Sequence, residues 1–181
     1  MITLVTGGVR SGKSRYAESL VPATGPAVYV APGPAPGDGD PEWAHRVAAH
    51  QARRPATWTT VETADLAPVV ATATTPVLVD CLGTWVSRVV DDAVAWDDPA
   101  AAAAAVADAR SRLVSALATA PGDVVLVTNE VGWGVVPEHA SGRMFRDELG
   151  RVNAEVSAVA DRVALVVAGR VLDLSGAPVV P

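Results

Sequence analysis

The chain has 181 residues, half of them hydrophobic and 19% charged, so it can bury a sizeable core and is neither a disordered tail, a collagen-like repeat nor a disulfide mini-scaffold. The formal net charge of −6 argues against duplex nucleic acid as the main partner, because phosphate neutralisation needs a basic surface. The single cysteine, Cys81, excludes an intramolecular disulfide, and no Cys/His spacing suggests zinc.

The start, Met1-Ile2-Thr3-Leu4, lacks the charged region of a signal peptide, and no apolar run approaches the roughly 20 residues of a membrane span, so the expected location is the cytoplasm. The fourteen Lys plus Arg comprise thirteen arginines and one lysine, Lys13. An Arg-for-Lys, Ala-rich bias most simply reflects a GC-rich genome. A lysine that survives such a bias points to a role that arginine cannot fill.

In chain order, Ile2 to Thr6 reads as a short buried strand, Gly7 to Gly12 as a turn and Lys13 to Val21 as a helix. Ala27 to Ala31 is a second strand. Pro32 to Pro41, with four prolines and three glycines in ten residues, is a loop. Glu42 to Ala52 has helical spacing, with Trp43 and Val47 on one stripe. Thr57 to Val61 reads as a short strand, Leu66 to Ala71 as a helix, and Val77 to Val79 as an apolar strand ending in Asp80.

Thr84 to Val90 and Pro99 to Ala118 read as helices; Pro99 and Pro121-Gly122 frame the second, and its alanine run is helix-forming rather than low complexity. Val124 to Thr128 is a continuous β-branched run, Ser141 to Ala160 a helix, Val163 to Ala168 a strand and Val171 to Leu174 one more edge strand. Strands that are continuous apolar runs and alternate with helices predict an α/β fold, P-loop NTPase-like: one domain over 1–181, a mostly parallel sheet with helices on both faces. Ligands in such sheets sit at the carboxyl ends of the strands.

Gly7-Gly8-Val9-Arg10-Ser11-Gly12-Lys13-Ser14 fits the phosphate-loop pattern G-x-x-x-x-G-K-[ST], between a strand and a helix. The glycines let backbone N–H groups curl around phosphate, and the helix N-terminus adds its positive end. Lys13 can reach the β and γ phosphates, and Ser14 can give a hydroxyl to Mg²⁺. Asp80, at the end of an apolar strand, is a second candidate ligand for Mg²⁺, direct or through water; a turn or helix-cap aspartate is the alternative.

Among the histidines, His50 lies one helical turn after Arg46 and just before Arg53-Arg54-Pro55. A neutral imidazole flanked by guanidinium groups suits nucleophilic attack on phosphorus. By itself the pattern equally describes a surface helix histidine among solvated arginines, the commoner case. His45 is about 140° away around an ideal helix and points elsewhere; His139 reads as a surface loop residue. Thr128-Asn129-Glu130-Val131-Gly132-Trp133-Gly134 begins where a buried strand ends, a place that favours a site over a plain connection. Arg143, Arg146, Arg151 and Asn153 follow. Arg143 and Arg146 could face a phosphate or pair in solvent with Asp147 and Glu148.

Taken together, three stretches resemble a known family: Val5 to Arg15; Arg46-Val47-Ala48-Ala49-His50 with Arg54-Pro55; and Leu126 to Pro137 with Phe145-Arg146-Asp147 and Gly150-Arg151-Val152-Asn153. The chain is similar, from Met1 to about Gly169, to the bifunctional adenosylcobinamide kinases / adenosylcobinamide-phosphate guanylyltransferases of cobalamin biosynthesis. The resemblance implies phosphorylation of adenosylcobinamide by ATP or GTP, then transfer of GMP from GTP to the product through a covalent histidine, here His50. It implies Lys13 as a second catalytic residue. Nucleotide contacts by motif position are Gly7 to Ser14, Ala31-Pro32-Gly33, Gln51-Ala52-Arg53-Arg54, Glu62 and Asp80. The resemblance further implies that Arg46, Asn129, Glu130 and Arg146 bind substrate or support the site.

The resemblance also implies a trimer and small-molecule corrinoid and nucleotide substrates; Ser14 and Asp80 remain the candidate ligands for Mg²⁺ read from the residues. One departure stands out. Relatives usually follow the second strand with Ala-Thr-Ser or similar; Ala31-Pro32-Gly33 offers no side-chain hydroxyl. That departure leaves a guanylyltransferase with weak or lost kinase activity as an alternative; a nucleotide-binding regulatory protein and a simple small-molecule kinase are the competing readings of the chain as a whole.

Overall fold

The computed structural model describes residues 1–34 and 41–180, the side chains of Pro41, Glu42, Trp43 and Arg46 excepted. The expected helical stripe through Trp43, most of the 32–41 loop and the side chain of Arg46 therefore lie outside the described residues.

Seven strands form one sheet in the order β3-β2-β4-β5-β1-β6-β7. They are β1 (Ile2–Gly7), β2 (Ala27–Ala31), β3 (Trp58–Glu62), β4 (Val77–Asp80), β5 (Val124–Val127), β6 (Arg162–Val167) and β7 (Arg170–Asp173). The helices are α1 (Lys13–Leu20), α2 (Pro41–Gln51), α3 (Leu66–Thr72), α4 (Leu82–Asp92), α5 (Pro99–Leu117) and α6 (Ala140–Val159).

Strands β1 to β6 are parallel, and all six residues of β1 are buried at the middle of the sheet. Side chains of a strand alternate between faces, so a fully apolar strand needs cover on both. The core divides accordingly. Leu4, Val30, Val79 and Leu126 pack with α3 to α6 residues, Trp85, Leu113, Leu149 and Val152 among them. Their strand neighbours Val5, Tyr29, Leu78 and Val127 pack with Ala17 of α1 on the other face.

Helix boundaries follow local chemistry. Asp98 caps α5, accepting from the N–H groups of Ala100 (3.0 Å) and Ala101 (3.1 Å), with Pro99 in the first turn. The buried residues Ala102, Val106, Ala109, Leu113 and Leu117 repeat at three- and four-residue spacing down one stripe. Helix α4 starts at Leu82, two residues before the start expected at Thr84, because Thr84 belongs to the cap: its hydroxyl donates to the Cys81 carbonyl at 2.9 Å and accepts from the Cys81 N–H at 3.4 Å.

The last strand departs from the parallel pattern. β7 runs antiparallel to β6 because the two are joined only by Ala168-Gly169, too short for a crossover. Both residues have positive φ, 50° and 75°, the geometry that two-residue hairpins require.

Parallel register aligns the carboxyl ends of the strands along one edge. Ala31 pairs with Glu62 and Asp80 with Val127, while Gly7 ends β1 beside them. Every candidate contact read from a strand end is thereby carried to the same side of the sheet.

Candidate active site

The phosphate loop leaves β1 at Gly7. A Cβ there would sit 2.3 Å from the carbonyl oxygen of Val166, so only glycine lets β1 and β6 pair up to the loop. Gly7→Ala should cost about 2 kcal/mol or more by forcing backbone apart, a fall in Tm of roughly 4 °C or more for a chain of this size. A melting curve within about 1 °C of the parent would contradict this.

The loop closes through the Ser11 N–H to the Gly8 carbonyl at 3.3 Å, and Gly12 enters α1 at φ +100°. Gly12 has no side chain to cap α1, so the first-turn N–H groups are left for an anion. Ser11 Oγ is likewise buried without a hydrogen-bond partner. Lys13, 8% exposed, donates from Nζ to the Gly8 carbonyl at 3.1 Å. The hairpin turn supports the loop from outside, Gly169 N–H donating to the Ser11 carbonyl at 3.0 Å.

A cavity of about 630 Å³ opens beside this loop, within the range of small-molecule sites. Its wall opposite the loop is built by β2, β3 and β4. The Arg54 guanidinium lies 3.3 Å from the centroid of the Tyr29 ring, and its Nη1 donates to Thr60 Oγ1 at 3.0 Å. Tyr29 donates its hydroxyl to Asp80 Oδ2 at 3.3 Å; burial, and then the Asp80 carboxylate, hold the phenol far above its ordinary pKa, so it remains a donor.

His50 Nδ1 lies 3.5 Å from the same Oδ2. Arg53 brings that histidine here: it forks onto Glu18 of α1 at 2.9 and 3.1 Å, pinning the end of α2 against the phosphate-loop helix. Cys81 also lines the cavity, but burial, then Asp80, push its thiol pKa up, which disfavours the reactive thiolate.

At the end of β5 a polar network replaces apolar packing. Thr128, fully buried, donates to Asn153 Oδ1 at 2.6 Å. Asn153 Nδ2 donates to the Asn129 carbonyl (3.0 Å) and to Glu130 Oε1 (3.3 Å), and Thr6 Oγ1 donates to the same Glu130 oxygen at 2.7 Å. The Glu130 N–H reaches the Gly7 carbonyl at 3.3 Å. One asparagine on α6 thus ties the β5 loop to the base of the phosphate loop. Asn153→Ala strands the Thr128 hydroxyl and should cost about 1–3 kcal/mol. Thermal denaturation reads that loss, and an unchanged melt would show that the network carries no stability.

The cavity gathers Arg10, Ser11, Gly12, Lys13, Ser14, Ala31, Gly33, His50, Arg53, Arg54, Glu62, Asp80 and Asn129 from the residues singled out in the sequence. Gly7, Gly8, Val9, Pro32, Glu130 and Arg146 are not among its lining, and Gln51 and Ala52 are exposed away from it. Neither arrangement open to Arg143 and Arg146, lining the cavity or pairing with Asp147 and Glu148, is seen among the described residues. Glu148 is buried, 2% exposed, and held by Arg110 and Arg151. Arg143 donates to the carbonyls of Pro137 and Glu138, while Arg146 Nη1 is buried without a partner. His139 is exposed, as expected of a surface residue, and His45 is exposed as well.

Tyr29, Glu18 and the Ala168-Gly169 turn were not singled out. A tyrosine in an otherwise aliphatic buried strand was the available signal, since its hydroxyl must find a partner.

Among the described residues no group of three or more His, Cys, Asp or Glu could hold a metal ion by itself. Ser14 and Asp80 on the same cavity instead suit an Mg²⁺ that arrives with a triphosphate and keeps most of its ligands from phosphate and water.

Comparison with known proteins places the chain among relatives. Over 91% of its length the chain superposes on an ATPase from the type III secretion system of pathogenic bacteria, covering 50% of that chain at a TM-score of 0.50 and 12% identity, a likeness of fold alone. It is 42% identical to the bifunctional adenosylcobalamin biosynthesis protein CobU of Salmonella typhimurium, over 93% of this chain and 97% of that one. It is 39% identical to the bifunctional adenosylcobalamin biosynthesis protein CobP of Pseudomonas aeruginosa, over 98% and 99%. The family model described as cobinamide kinase / cobinamide phosphate guanyltransferase matches residues 3–174. With a phosphate loop, an acidic strand end and a histidine drawn into one cavity, the chain belongs to the cobinamide kinase / cobinamide phosphate guanyltransferase family.

Proposed function

We propose that this enzyme phosphorylates adenosylcobinamide and then converts the phosphate to adenosylcobinamide-GDP, with His50 as the covalent carrier of GMP, in a single domain over residues 1–181. The observation that carries the reading is the placement of His50 and the phosphate loop on one cavity. In the kinase reaction the substrate hydroxyl oxygen bonds to the γ-phosphorus, the β–γ bridging bond breaks, and the hydroxyl proton goes to solvent. In the transfer, an imidazole nitrogen of His50 bonds to the α-phosphorus of GTP and pyrophosphate leaves. A phosphate oxygen of the second substrate then displaces the histidine.

The residues divide the work. Backbone N–H groups of the loop and α1 hold the β and γ phosphates, and Lys13 neutralises charge developing there. Ser14 and Asp80 would hold an Mg²⁺ that arrives with the nucleotide, and it would add charge neutralisation there. Arg54 and Tyr29 wall the cavity, and Arg53 positions α2 through Glu18. The reading is of a cytoplasmic enzyme with small-molecule substrates, and the net charge of −6 disfavours a nucleic-acid partner; no helix among the described residues is long and apolar enough to cross a membrane. Exposed Trp133, Val135 and Val136 beyond β5 supply apolar surface for the trimer implied by the family.

The test is incubation with GTP labelled at the α- or the γ-phosphate, with and without cobinamide. Label from the α position should remain on the protein as an acid-labile, base-stable adduct, and label from the γ position should pass to cobinamide. Absence of any adduct on active protein would exclude the covalent carrier. An adduct without γ transfer would favour a guanylyltransferase alone, the reading to which the hydroxyl-free Ala31-Pro32-Gly33 segment points.

A further inference from the structure

Asn129 leaves the sheet between the two strands that frame the phosphate end of the cavity. β5 lies between β1, which leads into the phosphate loop, and β4, which ends in Asp80. The ladder to β1 runs on past the end of β5. The Thr128 N–H donates to the Val5 carbonyl at 2.9 Å, and the Glu130 N–H to the Gly7 carbonyl at 3.3 Å. Val127 and Asn129 therefore keep to one face, and Val127 packs on the α1 side. Asn153 Nδ2 holds the Asn129 carbonyl at 3.0 Å, so the backbone is tied on both flanks.

The side chain is tied far less. Its Oδ1 is buried with no hydrogen-bond partner, and its Nδ2 meets only the Cys81 sulfur, at 3.9 Å. Gly83 makes room for the carboxamide, since a Cβ there would come within 3.0 Å of Nδ2. A buried amide with an orphaned oxygen carries a desolvation penalty that a ligand donor relieves. The last torsion of asparagine is broad, so Oδ1 can turn at little cost toward the cavity that the residue lines.

We infer that Asn129 is a further catalytic residue of the kinase reaction: it receives the substrate hydroxyl beside the phosphate loop and aims it at the γ-phosphorus. The inference rests on the phosphorylation half of the reading above.

Hydrogen-bond chemistry selects the hydroxyl. Ionised phosphate oxygens only accept, so a triphosphate by itself leaves Oδ1 unmet. The donors on the base and ribose lie at the far end of the triphosphate from the γ-phosphorus, and the loop holds the β and γ phosphates. The attacking hydroxyl is the donor that must come to this end. A carboxamide is no base, so it takes the hydrogen bond and not the proton. The hydroxyl oxygen bonds to the γ-phosphorus, the β–γ bridging bond breaks, and the proton leaves to solvent. Asn129 supplies direction and position to the attack.

The experiment compares cobinamide with its deoxy analogue, the same corrinoid with hydrogen in place of that hydroxyl. Equilibrium binding is measured on the whole chain loaded with a non-hydrolysable ATP analogue. The parent should hold cobinamide about 3- to 10-fold tighter than the deoxy analogue, the effect of one hydrogen bond. Asn129→Ala should bind the two alike, which closes a double-mutant cycle between side chain and hydroxyl. Asn129→Asp, which keeps an acceptor oxygen in place, should keep the preference. In turnover, Asn129→Ala should lower kcat for phosphorylation about 10²-fold, the scale of a misplaced reactant, with KM for ATP little changed. Formation of the α-labelled GMP adduct should fall far less, because no acceptor hydroxyl takes part in it.

A parent that binds both corrinoids equally overturns the inference whether or not the variants fold. A preference that survives Asn129→Ala overturns it too, even where both affinities drop, since the carboxamide would then meet some other corrinoid group. A preference lost in Asn129→Ala, together with no γ transfer by the parent, would support Asn129 as the partner of the hydroxyl and reject the phosphorylation reading instead.

Discussion

His50→Ala should abolish the α-labelled GMP adduct and lower formation of adenosylcobinamide-GDP by at least about 10³-fold, the scale on which a lost nucleophile is felt. Phosphorylation of cobinamide needs no imidazole nucleophile and should fall far less, so the two activities separate in one variant. The separation has a structural basis. His50 reaches the cavity from α2, whereas the phosphate loop is built by β1 and α1. The fold should tolerate the change, because His50 is 30% exposed in its side chain and belongs to neither core cluster. Assay of both reactions, with a melting curve as control, checks this. GMP transfer at near-parental rate would move the covalent role to another residue. Cys81 also lines that cavity, and its raised thiol pKa makes it a poor substitute.

Lys13→Arg should reduce both reactions by roughly 10²–10³-fold, since both develop charge on the triphosphate held by the loop. Charge is conserved in this variant, so the loss must come from shape. Lys13 is 8% exposed and folds its ammonium back to within 3.1 Å of the Gly8 carbonyl, a fit for a compact point charge on a flexible stem. A planar guanidinium carries its donors in a rigid fork and displaces either the loop or the phosphates. Steady-state kcat/KM for each reaction reads the effect. Near-normal turnover would mean that the lone lysine of an arginine-rich chain is an accident of composition.

Local patterns carried most of the fold. The phosphate loop is contiguous, so its turn, its glycines and its lysine can all be read from eight residues. Continuous apolar runs marked β1, β4 and β5, and the caps and prolines around α5 marked its ends. His50 was visible as a motif but not as a partner of Asp80, thirty positions away on a different element.

The same limit explains what was missed or misplaced. Glu148 reads as a solvent charge until α5 brings Arg110 over it, and Arg53 reads as a free phosphate ligand until α1 brings Glu18 to it. Asn153 gains its meaning only when α6 lies across the end of β5. The reversal of β7 rests on two residues, whose positive φ values follow from how the hairpin closes.

By itself, then, the sequence determined the order of strands and helices, the phosphate loop and the family, because each depends on neighbouring residues or fixed spacing. The tertiary structure decided which charges are paired, which nitrogen of His50 meets a carboxylate, and which strand-end residues share one cavity. Those properties depend on sheet register and helix packing, which join residues that no periodicity along the chain relates.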